Sequence, residues 1–97
     1  MRMMLRIAMS VEAGNKAVKD DLISRLVQQT GELLKPEAAY FTADRGLRTA
    51  YFFFDMKDSS QMPAIAEPWF QGTGAKLELM PVMNVEDLRI GLEKTKK

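Results

Sequence analysis

The sequence predicts an α+β domain with the element order β-α-β-β-α-β and a terminal helix. Three patterns carry that reading. Met3 to Ser10 alternates with period two, Val18 to Leu34 repeats at helical spacing, and two aromatic-rich stretches flank Asp44-Arg45-Gly46. The 97 residues, 46% hydrophobic and 28% charged, are near the commonest domain size and read as one domain over 1–97.

In the first strand Met3, Leu5, Ile7 and Met9 share one face, and Met4, Arg6 and Ala8 share the other. Gly14-Asn15 then offers a turn and an N-cap. The helix that follows carries Val18, Leu22, Ile23, Leu26, Val27, Leu33 and Leu34 on one stripe, with Lys16, Lys19, Asp20 and Arg25 mostly opposite. Gly31 weakens it by about 1 kcal/mol. Pro36 ends it by pushing Lys35 out of the right-handed helical region.

Ala38 to Ala43 and Leu47 to Met56 form a hairpin in which Gly46 supplies a positive φ. A two-residue loop sets Tyr40 opposite Tyr51, and a three-residue bulged loop sets it opposite Ala50. Turn statistics favour the bulged loop, and the choice decides which face Tyr40 joins. Asp58 opens the second helix with Gln61 as its capping-box partner. Pro63 suits a first turn, whereas Pro68 is expected to break the helix near Glu67. Trp69 and Phe70 follow as apolar anchors and Gly72-Thr73-Gly74 turns the chain. Ala75 to Met83 forms the last strand, with Leu77, Leu79 and Pro81 on one side and Lys76, Glu78 and Met80 on the other. Asn84 caps a terminal helix that begins with Glu86 and Asp87, makes contacts through Leu88 and Leu92, and ends in Lys94, Lys96 and Lys97.

This order is the split βαβ, ferredoxin-like arrangement, with strands in the spatial order 4-1-3-2, all antiparallel, and both main helices on one face. Leu5, Ile7, Phe52, Phe54, Leu77 and Leu79 then meet the helices. Arg6, Tyr51, Phe53, Glu78 and Met80 occupy the second face. A solvated sheet face is dominated by small polar and charged residues. This one mixes aromatic and apolar groups with opposite charges, which predicts a homodimer joined through that face.

The strand Ala50-Tyr51-Phe52-Phe53-Phe54-Asp55, the segment Pro68-Trp69-Phe70 and the strand Leu77-Glu78-Leu79-Met80-Pro81-Val82 together resemble the dimeric α+β barrel superfamily of small ferredoxin-like proteins. Within it the chain is most similar to small uncharacterised bacterial proteins related to the GYD-type domains, although Tyr40 lies between Ala39 and Phe41, so the Gly-Tyr-Asp signature itself is absent. The resemblance implies a homodimer. It covers cofactor-free monooxygenases, lactone isomerases, haem-degrading enzymes and ligand-sensing domains, so it selects no single function. The chain lacks the histidine of the haem branches and has no asparagine between Met3 and Ser10, the residue typical of monooxygenase branches.

Composition narrows the chemistry further. With no cysteine and no histidine, thiolate and imidazole catalysis, iron–sulfur clusters and most transition-metal sites are excluded. No cofactor and no metal are expected. The formal charge of +1 predicts no nucleic-acid partner, and the short N-terminal apolar run, interrupted by Arg6, predicts neither a signal peptide nor a membrane span, hence a cytoplasmic protein.

The candidate ligand-binding residues are Arg6, Tyr51, Phe53, Glu78, Tyr40 and Trp69. Arg6 and Glu78 lie on neighbouring strands and face the same way. They form either an anion clamp beside a general base or a cross-strand ion pair, and the ion pair is the simpler reading. Tyr40 and Tyr51 offer hydroxyl donors, Phe53 offers an aromatic wall, and Trp69 walls or plugs the space between helices and sheet. Eight methionines fill a core or line an adaptable pocket. The expected function is a small homodimeric domain that binds a small apolar or aromatic molecule or serves as an accessory module. The alternative is a cofactor-free enzyme, of monooxygenase or isomerase type, acting by proton transfer on an aromatic or lactone-like substrate.

Overall fold

The computed structural model describes residues 1–96; Lys97, part of the basic end, lies outside the described residues. The elements are β1 (Arg2–Ala8), α1 (Val11–Lys19), α2 (Leu22–Leu34), β2 (Ala38–Asp44), β3 (Leu47–Asp55), α3 (Met62–Thr73), β4 (Lys76–Pro81) and α4 (Val85–Glu93). The strands form one open antiparallel sheet in the order β2-β3-β1-β4, which is the expected 4-1-3-2 read from the other edge. The arrangement is compatible with a ferredoxin-like fold.

The two faces divide by the alternation of β1. Leu5, Ile7, Phe52 and Phe54 are almost fully buried beneath the helices and join Met3, Leu26, Ile65 and Trp69 in one core. Leu77 and Leu79 on β4 pack against the edge of this core, as their spacing predicts. Trp69 is 1% exposed, and its indole Nε1–H donates to Thr30 Oγ1 at 2.9 Å, so the ring is buried with its polar atom satisfied.

Four local expectations are corrected. The first helix begins at Val11, not after Gly14-Asn15, because Ser10 is the N-cap and its side chain accepts from the Ala13 amide at 3.1 Å. The helical stripe is also interrupted. Asp21 adopts φ 57°, a left-handed conformation that aspartate tolerates better than most residues, so α1 and α2 are separate helices.

The hairpin takes the two-residue loop instead of the favoured bulge. Asp44 pairs with Leu47, Tyr40 pairs with Tyr51, and Arg45 and Gly46 have φ of 54° and 80°, the double positive φ of a type I′ turn. Gly46 accepts this without strain, and Arg45 is held there by the register of the strands. Finally, Pro68 does not break α3. Its missing N–H would have bonded the Ala64 carbonyl, and both residues are solvent-exposed, which lowers the cost of the lost bond.

Several boundaries match the patterns that predict them. Lys35, in the left-handed region at φ 46°, terminates α2 directly before Pro36. The Asp58–Gln61 capping box opens a short 3-10 turn that leads into α3. Gly74, at φ 63°, closes α3, and Thr73 Oγ1 bridges from the Trp69 carbonyl to the Ala75 amide. Asn84 and Asp87 form a reciprocal capping box on α4. Leu88 and Leu92, the expected contacts of this helix, are 45% and 56% exposed. Among the described residues, no helix is long and apolar enough to cross a membrane.

Candidate functional site

The side chains of Arg2, Met4 and Arg6 on β1 project onto the sheet face opposite the core helices α2 and α3. Tyr51 and Phe53 of β3 lie beside them on one side, and Glu78 and Met80 of β4 on the other. The two-residue hairpin loop adds Ala38, Tyr40 and Asp44 from β2 to the same face. Tyr40 therefore joins Tyr51, and it is 64% exposed.

Arg6 is the centre of this face. Its side chain is only 18% exposed, and each nitrogen of its guanidinium has a partner. Nη2 donates to Asp44 Oδ2 at 2.7 Å, Nη1 to Glu78 Oε1 at 2.9 Å, and Nε to the Tyr51 hydroxyl at 3.3 Å. The Tyr51 hydroxyl in turn donates to Asp44 Oδ2 at 3.2 Å. Asp44, and then Tyr51, raise the Arg6 pKa above its already high ordinary value. Arg6, and then Tyr51, lower the Asp44 carboxyl below the usual carboxylate range. Both groups are therefore firmly charged at neutral pH.

The cross-strand pairing of Arg6 and Glu78 is thus the ion pair that their positions suggest. Its third charged member, Asp44, was not legible as a site residue. Read as a turn residue, Asp44 has no assigned face. Only the two-residue register places it on the face of Tyr51 and Arg6, and Asp44-Arg45-Gly46 is equally compatible with the bulged loop.

With Arg6 shared between two carboxylates, the cluster carries a net negative charge. Glu78 Oε2 and Asp44 Oδ1 have no protein partner among the described residues. The cluster therefore presents acceptor oxygens, which suit a hydroxyl or amine donor better than an anion. It borders an open groove of about 700 Å³ that is also lined by Ala8, Arg45 and Lys76.

A second arginine closes the other end of the face. Arg2 Nε donates to Glu37 Oε1 at 2.7 Å and Nη1 to Asp87 Oδ2 at 2.6 Å, and the latter contact ties the start of α4 to the sheet. Glu37, more than Asp87, raises the Arg2 pKa. Between the two ion-paired arginines lies an apolar band of Met4, Phe53 and Met80, with Tyr40 exposed beside it in the row of Tyr51.

Arg6, Tyr51 and Glu78 are thus in direct contact, with Phe53 and Tyr40 on the same face. Trp69 is not with them. It lies on the helix side of the sheet, where it walls a cavity of about 350 Å³ with Val18, Ile23, Val27 and Phe41. Phe70 borders a different apolar groove, of about 560 Å³, between α3 and β4. Among the described residues, no group of three or more acidic side chains is arranged to hold a metal ion. Comparison of the chain with protein-family models, with curated proteins and with solved structures finds no match.

Proposed function

We propose that the chain is a homodimeric module, built in the manner of a dimeric α+β barrel, whose two copies bring their open sheet faces together and take up a small apolar or aromatic molecule between them. One observation carries this reading: the apolar band of Met4, Phe53 and Met80, with Tyr40 beside it, is framed by ion-paired arginines at both ends. An apolar centre within a polar rim is the anatomy of an interface, and a two-fold contact makes such a patch its own complement. The unpartnered carboxylate oxygens of Glu78 and Asp44 favour a ligand that carries a hydroxyl donor on an apolar or aromatic body.

A second reading, a cofactor-free enzyme acting by proton transfer, has one supporting observation. Glu78 borders the groove with one oxygen held by Arg6 and the other without a protein partner, the placement a general base needs. Asp44 is unsuited to that role, since its lowered pKa makes it a weak base.

Thermal-shift measurements with phenols, small aromatic acids, lactones and quinones test the binding reading, because a ligand of the native state raises the melting temperature. A phenol should raise it in wild type and less in Tyr51→Phe. Equal shifts for wild type and Tyr51→Phe would remove the site. Turnover that is lost in Glu78→Gln while binding persists would select the enzymatic reading.

A further inference from the structure

A second arginine, on the opposite side of the sheet, has none of the carboxylate partners that surround Arg6. Arg48 projects from β3 toward the helices, and its Nη2 donates to the neutral Asn15 Oδ1 at 3.1 Å. No carboxylate forms an ion pair with it among the described residues. Its guanidinium lies across Gly14 of α1 so closely that a β-carbon there would come within 2.6 Å of Nη1 and 3.0 Å of Cδ. The absence of a side chain at residue 14 thus lets the guanidinium lie where it does.

Arg48 also lines the 350 Å³ cavity between α1, α2 and the hairpin. Val18, Ile23, Val27, Phe41 and Trp69 make most of the lining apolar, and Arg48 is the charged residue in it. Phe41 stands 56% exposed at the β2 edge with its ring edge-on to Phe52, so the cavity opens beside the edge strand. Its volume is at the small end of the roughly 300–1,000 Å³ typical of ligand sites.

The geometry points to a binding site for a small apolar monocarboxylate, either a medium-chain or an aryl-alkanoic acid, with its hydrocarbon body in the cavity and its carboxylate on Arg48. A guanidinium with donors to spare beside an apolar chamber matches such an amphiphile in both charge and shape. The site lies across the sheet from the Arg6 cluster and within one chain, so it stands whether or not the open faces dimerise.

Calorimetric titration of the full chain with sodium octanoate and with neutral octanamide tests it. Octanoate should bind saturably with one site per chain, and octanamide on the order of tenfold more weakly, for loss of the charge-assisted contact. Arg48→Gln should reduce octanoate to the affinity of octanamide. Gly14→Ala should also weaken octanoate by displacing the guanidinium, with the native circular dichroism retained. Arg89→Gln, a change to an exposed arginine on α4, should leave the affinity unaltered. Backbone amide NMR shifts should group at Val18, Val27, Phe41 and Thr49. Absence of octanoate binding, equal affinity for the two probes, undiminished binding in Arg48→Gln, equal losses in Arg48→Gln and Arg89→Gln, or shifts grouped around Tyr51 and Met80 would each overturn the assignment.

Discussion

On the helix-covered face of the sheet, Leu5, Ile7, Phe52 and Phe54 are almost completely removed from water, and the polar indole among them is satisfied by Thr30. On the open face, Met4, Tyr51 and Phe53 are only partly buried, Tyr40 and Met80 stand exposed, and two arginines are ion-paired with carboxylates. The first face is complete within the chain. The second has paired its charges but leaves apolar surface uncovered within the chain.

Four changes break or sharpen this contrast, taken from the largest expected effect. Trp69→Ala empties the covered face and orphans the Thr30 hydroxyl, and should lower stability by about 3–5 kcal/mol in denaturant titration. Phe53→Glu alters the open face alone. It should keep the native circular dichroism yet shift the protein from dimer to monomer at a concentration where wild type is dimeric, whereas loss of the fold itself would place Phe53 in the core.

Gly46→Ala tests the turn that puts Tyr40 on the open face. An L side chain at φ 80° is strained, and about 1 kcal/mol of stability should be lost. The smallest effect comes from Asp55 at the rim, where Lys57, followed by the N-terminal ammonium, lowers its pKa to about 2 from the ordinary 3.8. A carboxyl with a depressed folded-state pKa stabilises the protein above its unfolded value, and that contribution disappears as pH falls toward 2. Asp55→Asn should therefore flatten the acid limb of the stability profile between about pH 4 and pH 2. The effect should be weak and salt-sensitive because the pair is exposed.

The alternation of β1, the Asp58 and Asn84 capping boxes and the stop at Pro36 were legible because each is a local pattern with a local cause. The sheet order and the assignment of faces followed from the number and succession of those elements. What was not legible depended on tertiary context. The apolar stripe runs unbroken through Asp20 and Asp21, so periodicity could not mark the left-handed turn between α1 and α2. Pro68 survives inside α3 because the carbonyl it deprives faces solvent, which a one-dimensional pattern does not record. The hairpin register hid Asp44, and with it the fact that Arg6 answers to two carboxylates. Gly14 and Arg48 are separated by a helix and a strand in the chain, and their contact has no signature in the spacing of residues.

Sedimentation equilibrium of the wild-type chain at micromolar concentration, beside Phe53→Glu and Phe70→Glu, examines the open face directly. The wild type should sediment at twice the 11.0 kDa chain mass. Phe53→Glu should fall to the single-chain mass, and Phe70→Glu, altered on an exposed part of α3, should remain a dimer. A wild type at the single-chain mass, or a dimer that persists in Phe53→Glu and dissociates in Phe70→Glu, would contradict association through the open face.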